Sequence, residues 1–236
     1  MKKILTFLCG ALLLIALVPA VSHADSHAAM IYVVHAIPGT DLGLDPELAV
    51  DIAVNDACAI PNFKFMETAG PLPLAPGTYN IKIYLANEAA PCSGDPVIEA
   101  DVPFMAGETA LVTAHLTEEG GITASKFVVD TTAVANKKAR FTFIHAAAAP
   151  AVDVQAYRET GALDPMFMVP DMSNGDKMAV QIRPKNWHFS LGPAYSGVRL
   201  TGKRVKLKLG KTFILMAVGS LQFETFTWLR WSLNSK

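Results

Sequence analysis

Residues 31–36 read IYVVHA and residues 141–146 read FTFIHA. In both, β-branched and aromatic residues lead into a His-Ala pair, the pattern of a strand that ends at a turn. The same succession continues downstream of each. VDI at 50–52 is matched by VDV at 152–154, LAPGTYNI at 74–81 by IRPKNWHF at 182–189, and GETALV at 107–112 by GKTFIL at 210–215. Four matches in one order and at similar spacing mark an internal duplication, which constrains the architecture more than any single element does.

The stretches 30–34, 49–54, 79–85, 109–115, 140–145, 152–157, 205–209 and 212–218 are short, rich in Val, Ile, Phe and Tyr, and separated by Gly, Pro, Asn and Asp. Beyond the N-terminal leader no segment keeps a helical apolar period for three turns. The chain is therefore expected to be all-β: two tandem antiparallel β-sandwich domains, Ig-like or transthyretin-like. The first, acidic copy spans 29–131, the second, basic copy 139–236, and 132–138 is the linker. Pro76-Gly77 suits the centre of a type II turn; Pro184-Lys185-Asn186 lacks the glycine, which makes Asn186 the expected left-handed residue.

The N-terminus reads MKK, then an apolar run over 4–18, then Pro19 and VSHA at 21–24. This is the layout of a secretory signal peptide, 1–24, cut before Asp25 and leaving 25–28 as a short tail. The run is shorter than the roughly 20 apolar residues a membrane span needs. A mature protein without a transmembrane span is expected, exported to the periplasm, the cell surface or the medium. Cys9 leaves with the leader. Cys58 and Cys92 remain, an even pair in an oxidising compartment, and a disulfide between them is expected.

The whole chain carries 20 Lys+Arg against 21 Asp+Glu, a formal net charge of -1, which excludes a generally basic nucleic-acid binder. Divided at the repeat the picture changes. Residues 25–131 hold 3 basic against 15 acidic side chains, a net of -12, and residues 132–236 hold 15 against 6, a net of +9. Arg204, Lys206 and Lys208 alternate with Val205, Leu207 and Leu209, so a strand there places three cations on one face. With Arg199, Lys203 and Lys211 nearby, this is the candidate anion-binding surface. Its partners would be anionic polysaccharide, lipid headgroups or another envelope protein; self-association through the oppositely charged copies is the other reading, and edge protection by lysine the plainest one.

His35 and His145 occupy matched positions, as do Asp51 and Asp153. Recurrence in both copies favours a structural role, each aspartate being the expected hydrogen-bond partner of the neighbouring imidazole. The two histidines are also candidate metal ligands. A cut before Asp25 would expose Asp25-Ser26-His27, whose amine, amides and imidazole suit square-planar copper or nickel. His115 and His188 are unmatched and have no second ligand close in sequence. The acidic run Asp41, Asp45, Glu47, Asp51 and Asp56 does not follow the calcium-loop spacing. GVRLTGK at 197–203 has phosphate-loop glycines, but Arg204 replaces the hydroxyl residue and strand-like sequence follows. With no nucleophile motif and no free thiol, an enzyme is not expected, nor any cofactor other than copper or nickel.

The succession VVHA, VDI, LAPGTYNIKI and AGETALVTA resembles the secreted bacterial family catalogued as domain of unknown function 4397, often found in tandem. The second copy keeps FIHA, VDV, Pro184 and GKT but departs at the Gly-Thr-Tyr turn. The resemblance implies a β-sandwich module of exported or surface proteins and carries no established reaction. The expectation is an exported, non-catalytic binding module of the cell envelope. The alternative is a periplasmic metal-binding protein using Asp25-Ser26-His27 or the repeat histidines.

Overall fold

The structure, a computed structural model, describes residues 28–158 and 166–235; the leader and Asp25, Ser26 and His27 lie outside the described residues. In chain order the strands are β1 (Ala29–His35), β2 (Ala49–Val54), β3 (Ala57–Lys64), β4 (Thr68–Leu74), β5 (Gly77–Leu85), β6 (Ile98–Phe104), β7 (Thr109–Leu116) and β8 (Ile122–Val128). They continue with β9 (Ala139–Ala148), β10 (Val152–Tyr157), β11 (Phe167–Met172), β12 (Lys177–Ile182), β13 (Asn186–Pro193), β14 (Thr201–Lys206), β15 (Lys211–Ser220) and β16 (Thr227–Asn234). One 3-10 turn, Gly39–Leu42, interrupts them. No helix among the described residues is long and apolar enough to cross a membrane.

The expected pair of β-sandwiches is present. The first joins sheet β4-β1-β7-β8 to sheet β3-β2-β5-β6, and the second joins β12-β9-β15-β16 to β11-β10-β13-β14. Adding eight to each strand number of the first sandwich gives the strand order of the second. Pairing is antiparallel except for one parallel pair at the centre of each four-stranded sheet that opens its half, β1 with β7 and β9 with β15.

Those two sheets also pack on each other. Val34, Ala36, Leu111, Phe127 and Val129 of the first sandwich interlock with Ile144, Ala146, Ile214, Met216, Val218, Leu229 and Leu233 of the second. The result is four stacked layers, with β7 and β9 buried along their whole lengths because both faces are covered. The halves meet through apolar side chains rather than through their opposite charges. Among the described residues one ion pair joins them, Arg140 to Asp130 at 2.8 Å, beside the chain crossing. The same guanidinium donates to the carbonyls of Asp130 and Thr132 at 3.0 and 2.9 Å, so the start of 132–138 is clamped to β9.

Three local expectations are corrected. Gly77 has φ 158° and already pairs with Phe104, so Pro76-Gly77 is the entry to β5 and no type II turn forms. Asn186 is not left-handed; it opens β13. The basic strand runs over Thr201–Lys206 rather than 205–209, and Leu209 lies beyond it, 62% exposed, while Val205 and Leu207 are buried.

Candidate functional site

The matched aspartates do not bond the matched histidines. Asp51 accepts the amides of Asn62, Asn87 and Cys92 at 2.8–3.0 Å, and Asp153 those of Asp171 and Tyr195 at 3.1 and 2.9 Å. Four of the donors, Asn62, Cys92, Asp171 and Tyr195, sit at positive φ. Each carboxylate thus holds a bulge in the neighbouring edge strand and a distant loop, a duty local sequence does not reveal. Burial alone would raise the Asp51 pKa, and its three amides bring it below the usual carboxylate range.

Each histidine bonds its own turn instead. His35 Nδ1 accepts the Ile37 amide at 3.3 Å and His145 Nδ1 the Ala147 amide at 3.4 Å, the same two-residue span. Beyond that they differ. His145 Nε2 reaches the Pro150 carbonyl at 3.2 Å, whereas His35 Nε2 has no partner in hydrogen-bond geometry, although the Leu48 carbonyl acts on the ring and partly offsets its desolvation. Burial holds both imidazoles neutral, His35 with a pKa pushed down to about 4. Among the described residues no three His, Cys, Asp or Glu side chains are placed to hold one metal ion.

The expected basic cluster is divided by the fold. Lys211 lies on β15, in a different sheet, and donates to Asn234. Arg199 stacks over the Tyr157 ring, 4.1 Å from its centroid, and Arg199 and Arg204 are both already engaged within the protein. Lys203 is half-buried. Lys206 and Lys208 are exposed. Lys206 pairs across the ladder with Asn186 and, with Arg158, Lys185 and Pro184, lines a cleft of about 410 Å³ at the end of β13 and β14. Arg158 and Lys185 were invisible as partners in the sequence, since the segment after β10, the segment before β13 and the end of β14 bring 158, 185 and 206 together.

The acidic side chains are dispersed. Glu47 pairs with Lys64 at 2.8 Å, Asp56 with Lys82 at 2.7 Å, and Asp41 accepts Thr225 Oγ1 of the second sandwich at 2.8 Å. Asp41, Glu118 and Glu119 also wall a cleft of about 600 Å³ between the halves, closed on the other side by 148–150 and 220–223. Glu99 and Asp101 mark β6, an outermost strand of the first sandwich. Sheets stack about 10 Å apart, so the layers carrying β6 and β14 are separated by about 30 Å.

Cys58 and Cys92 form the expected disulfide, tying β3 to the loop that Asp51 holds. A different opening was not foreseen. Between the two sheets of the first sandwich lies an apolar cavity of about 310 Å³, lined by Ile31, Val33, Ile52, Ile81, Ile83 and Val112 among others, with His35 at its wall. Exposed Ala59, Leu72 and Pro73 place its mouth between edge strands β3 and β4.

This pair of β-sandwiches, the first tied by a disulfide, is of a recognised kind. Residues 29–155 match the family described as Domain of unknown function (DUF4397), and the chain belongs to that family. No curated protein matches it. Among solved structures it is similar to the Bacillus anthracis TIE protein, with 14% identity and a TM-score of 0.27 over 80% of this chain and 33% of that one. The chain thus spans about a third of the length of that protein. A proposed cell adhesion protein from Bacteroides uniformis ATCC 8492 has 10% identity and a TM-score of 0.26 over 89% of this chain and 99% of the other.

Proposed function

We propose that this protein is an exported, non-catalytic binding module whose basic second sandwich recognises an anionic polysaccharide of the cell envelope. Its two sandwiches are tandem copies of one domain, the second divergent. The leader at 1–24 supports export, and the repeated strand order and the paired Asp51/Asp153 and His35/His145 roles support the duplication.

The observation that carries the reading is the cationic cleft of Arg158, Lys185 and Lys206, continued by exposed Lys208. A backbone lined with carboxylates or sulfates would meet side chains that converge from the ends of three strands, β10, β13 and β14. The acidic layer about 30 Å away does not cancel this field, because salt screens charges beyond about 8 Å at physiological ionic strength. Cosedimentation with pectate gel tests it: capture that fades as salt rises is expected, and equal capture by a neutral gel would remove the proposal. Capture by anionic vesicles alone, or salt-dependent dimerisation without polymer, would move the basic surface to a lipid or to a second copy.

A further inference from the structure

The second sandwich is an internal control for the first. At four corresponding strand positions Ile31, Val33, Ile81 and Val112 of the first are replaced by the larger Phe141, Phe143, Phe189 and Leu215 of the second, while Ile52 and Val54 give way to the smaller Val154 and Ala156. In the second sandwich these larger groups share one core, and Phe141 stacks on Phe189, which Phe167 meets edge-on and Trp187 at a tilt. In the first, the same space is the 310 Å³ cavity. The histidines diverge in the same way. His145 Nε2 is satisfied by the Pro150 carbonyl, whereas His35 Nε2, in a side chain 1% exposed, feels the Leu48 carbonyl but has no partner in hydrogen-bond geometry. An empty apolar cavity destabilises a domain in proportion to its volume, and an unpartnered buried donor adds to that cost.

We propose that this cavity is a binding site for a small neutral aliphatic molecule bearing one carbonyl, which accepts a hydrogen bond from His35 Nε2. The Ile37 amide occupies Nδ1, so the neutral ring carries its proton on Nε2 and presents a donor. Every other lining side chain is aliphatic or Phe104, and none offers a second polar contact. The ring stays neutral well below pH 7, so it brings no cation to offset a carboxylate, and an ionised acid would pay its full desolvation inside these walls. A ketone, aldehyde or ester fits where a fatty acid anion does not. At the ~30 Å³ a small group occupies in a liquid, the cavity holds about ten heavy atoms. Entry is between β3 and β4, edge strands each hydrogen-bonded to a neighbouring strand on one side only.

The test is a titration of methyl octanoate into protein carrying isotope-labelled isoleucine methyls, followed by NMR. Saturable shifts confined to Ile31, Ile52, Ile60, Ile81 and Ile83 are expected. Ile81→Phe, which installs the ring found at Phe189, should abolish them, and Val112→Leu provides a smaller filling should the ring not fold. Removing the donor by His35→Phe should weaken binding roughly tenfold, the worth of one hydrogen bond. Absence of saturable shifts in the folded parent, undiminished affinity in a folded cavity-filled variant, or octanoate binding as tightly as its ester would each overturn the proposal.

Discussion

Phe141 and Phe189 stack across the second sandwich with ring centroids 3.7 Å apart and planes 7° from parallel. Both are fully buried, and Phe213 flanks the pair at 6.5 Å. Truncating such a ring loses its transfer free energy and leaves a void. Phe189→Ala should cost roughly 3–5 kcal/mol, whereas Ile81→Ala at the matched position should fall near the lower end, about 2 kcal/mol, since space is already present. Denaturant unfolding of both variants checks this; equal losses would deny the difference between the cores.

The disulfide between Cys58 and Cys92 spans a sequence separation of 34. Opening it frees the unfolded chain, so Cys58→Ser with Cys92→Ser should lose roughly 3–4 kcal/mol. The loss should concentrate in the first sandwich, visible as faster amide exchange around Asn87 and Cys92, whose amides Asp51 holds. Uniform exchange across both halves would contradict it.

Acid should weaken the fold well above the carboxylate range. His35, His115 and His145 are buried, and desolvation lowers the pKa of each. A folded-state pKa below the ordinary value means the unfolded chain takes up protons first. Stability is therefore full above about pH 6.5 and falls as pH drops toward the folded values. For His35, lowered to about 4, the loss amounts to roughly 3 kcal/mol. His115 and Asp176 act on His145 from either side of the junction, in opposite directions. Melting temperature should decline from about pH 6.5 downward, less steeply in His145→Gln, and a flat profile to about pH 5 would refute this.

Arg140 makes an ionic tie between the halves, its side chain 3% exposed beside Asp130. Its removal leaves the Asp130 and Thr132 carbonyls without their donor. Arg140→Met should cost roughly 3 kcal/mol and release amides over 130–138 to exchange. Unchanged stability would show that the apolar face between Leu111 and Ile214 suffices by itself.

What the sequence disclosed follows the burial of each strand. β1, β2, β5, β7, β9, β10 and β15, seven of the eight strands central in their sheets, stood out because two neighbours and a core select continuous Val, Ile and Phe; β13, equally central, did not, its Trp187-His188 and Gly192-Pro193 breaking the pattern. Edge strands β3 and β4 read ACAIPNFK and TAGPLPL, and their Pro, Gly and Lys, which keep an edge from pairing further, look like turn residues. The disulfide was legible because two cysteines left after the leader is set aside, in a chain whose leader predicts export, leave little choice. The aspartate roles were not, since the amides they hold lie 11 to 42 residues away. Tyr79 and Trp187 hold matched places in the sequence, but their role shows only in the fold: each donates to the carbonyl four residues earlier, Ala75 and Arg183, fixing the entry to β5 and β13. The basic cleft and the cavity are products of tertiary assembly, and no spacing announces either.

The polysaccharide reading is tested most directly by calorimetric titration of soluble polygalacturonate into three forms of the protein: the parent, Lys185→Glu/Lys206→Glu and Glu99→Lys/Asp101→Lys. These reversals alter opposite ends of the four-layer stack. Salt-sensitive binding by the parent and by the acidic-end variant, lost in Lys185→Glu/Lys206→Glu, is the predicted result. Binding that survives the reversal of Lys185 and Lys206, or that neutral dextran reproduces, would contradict it.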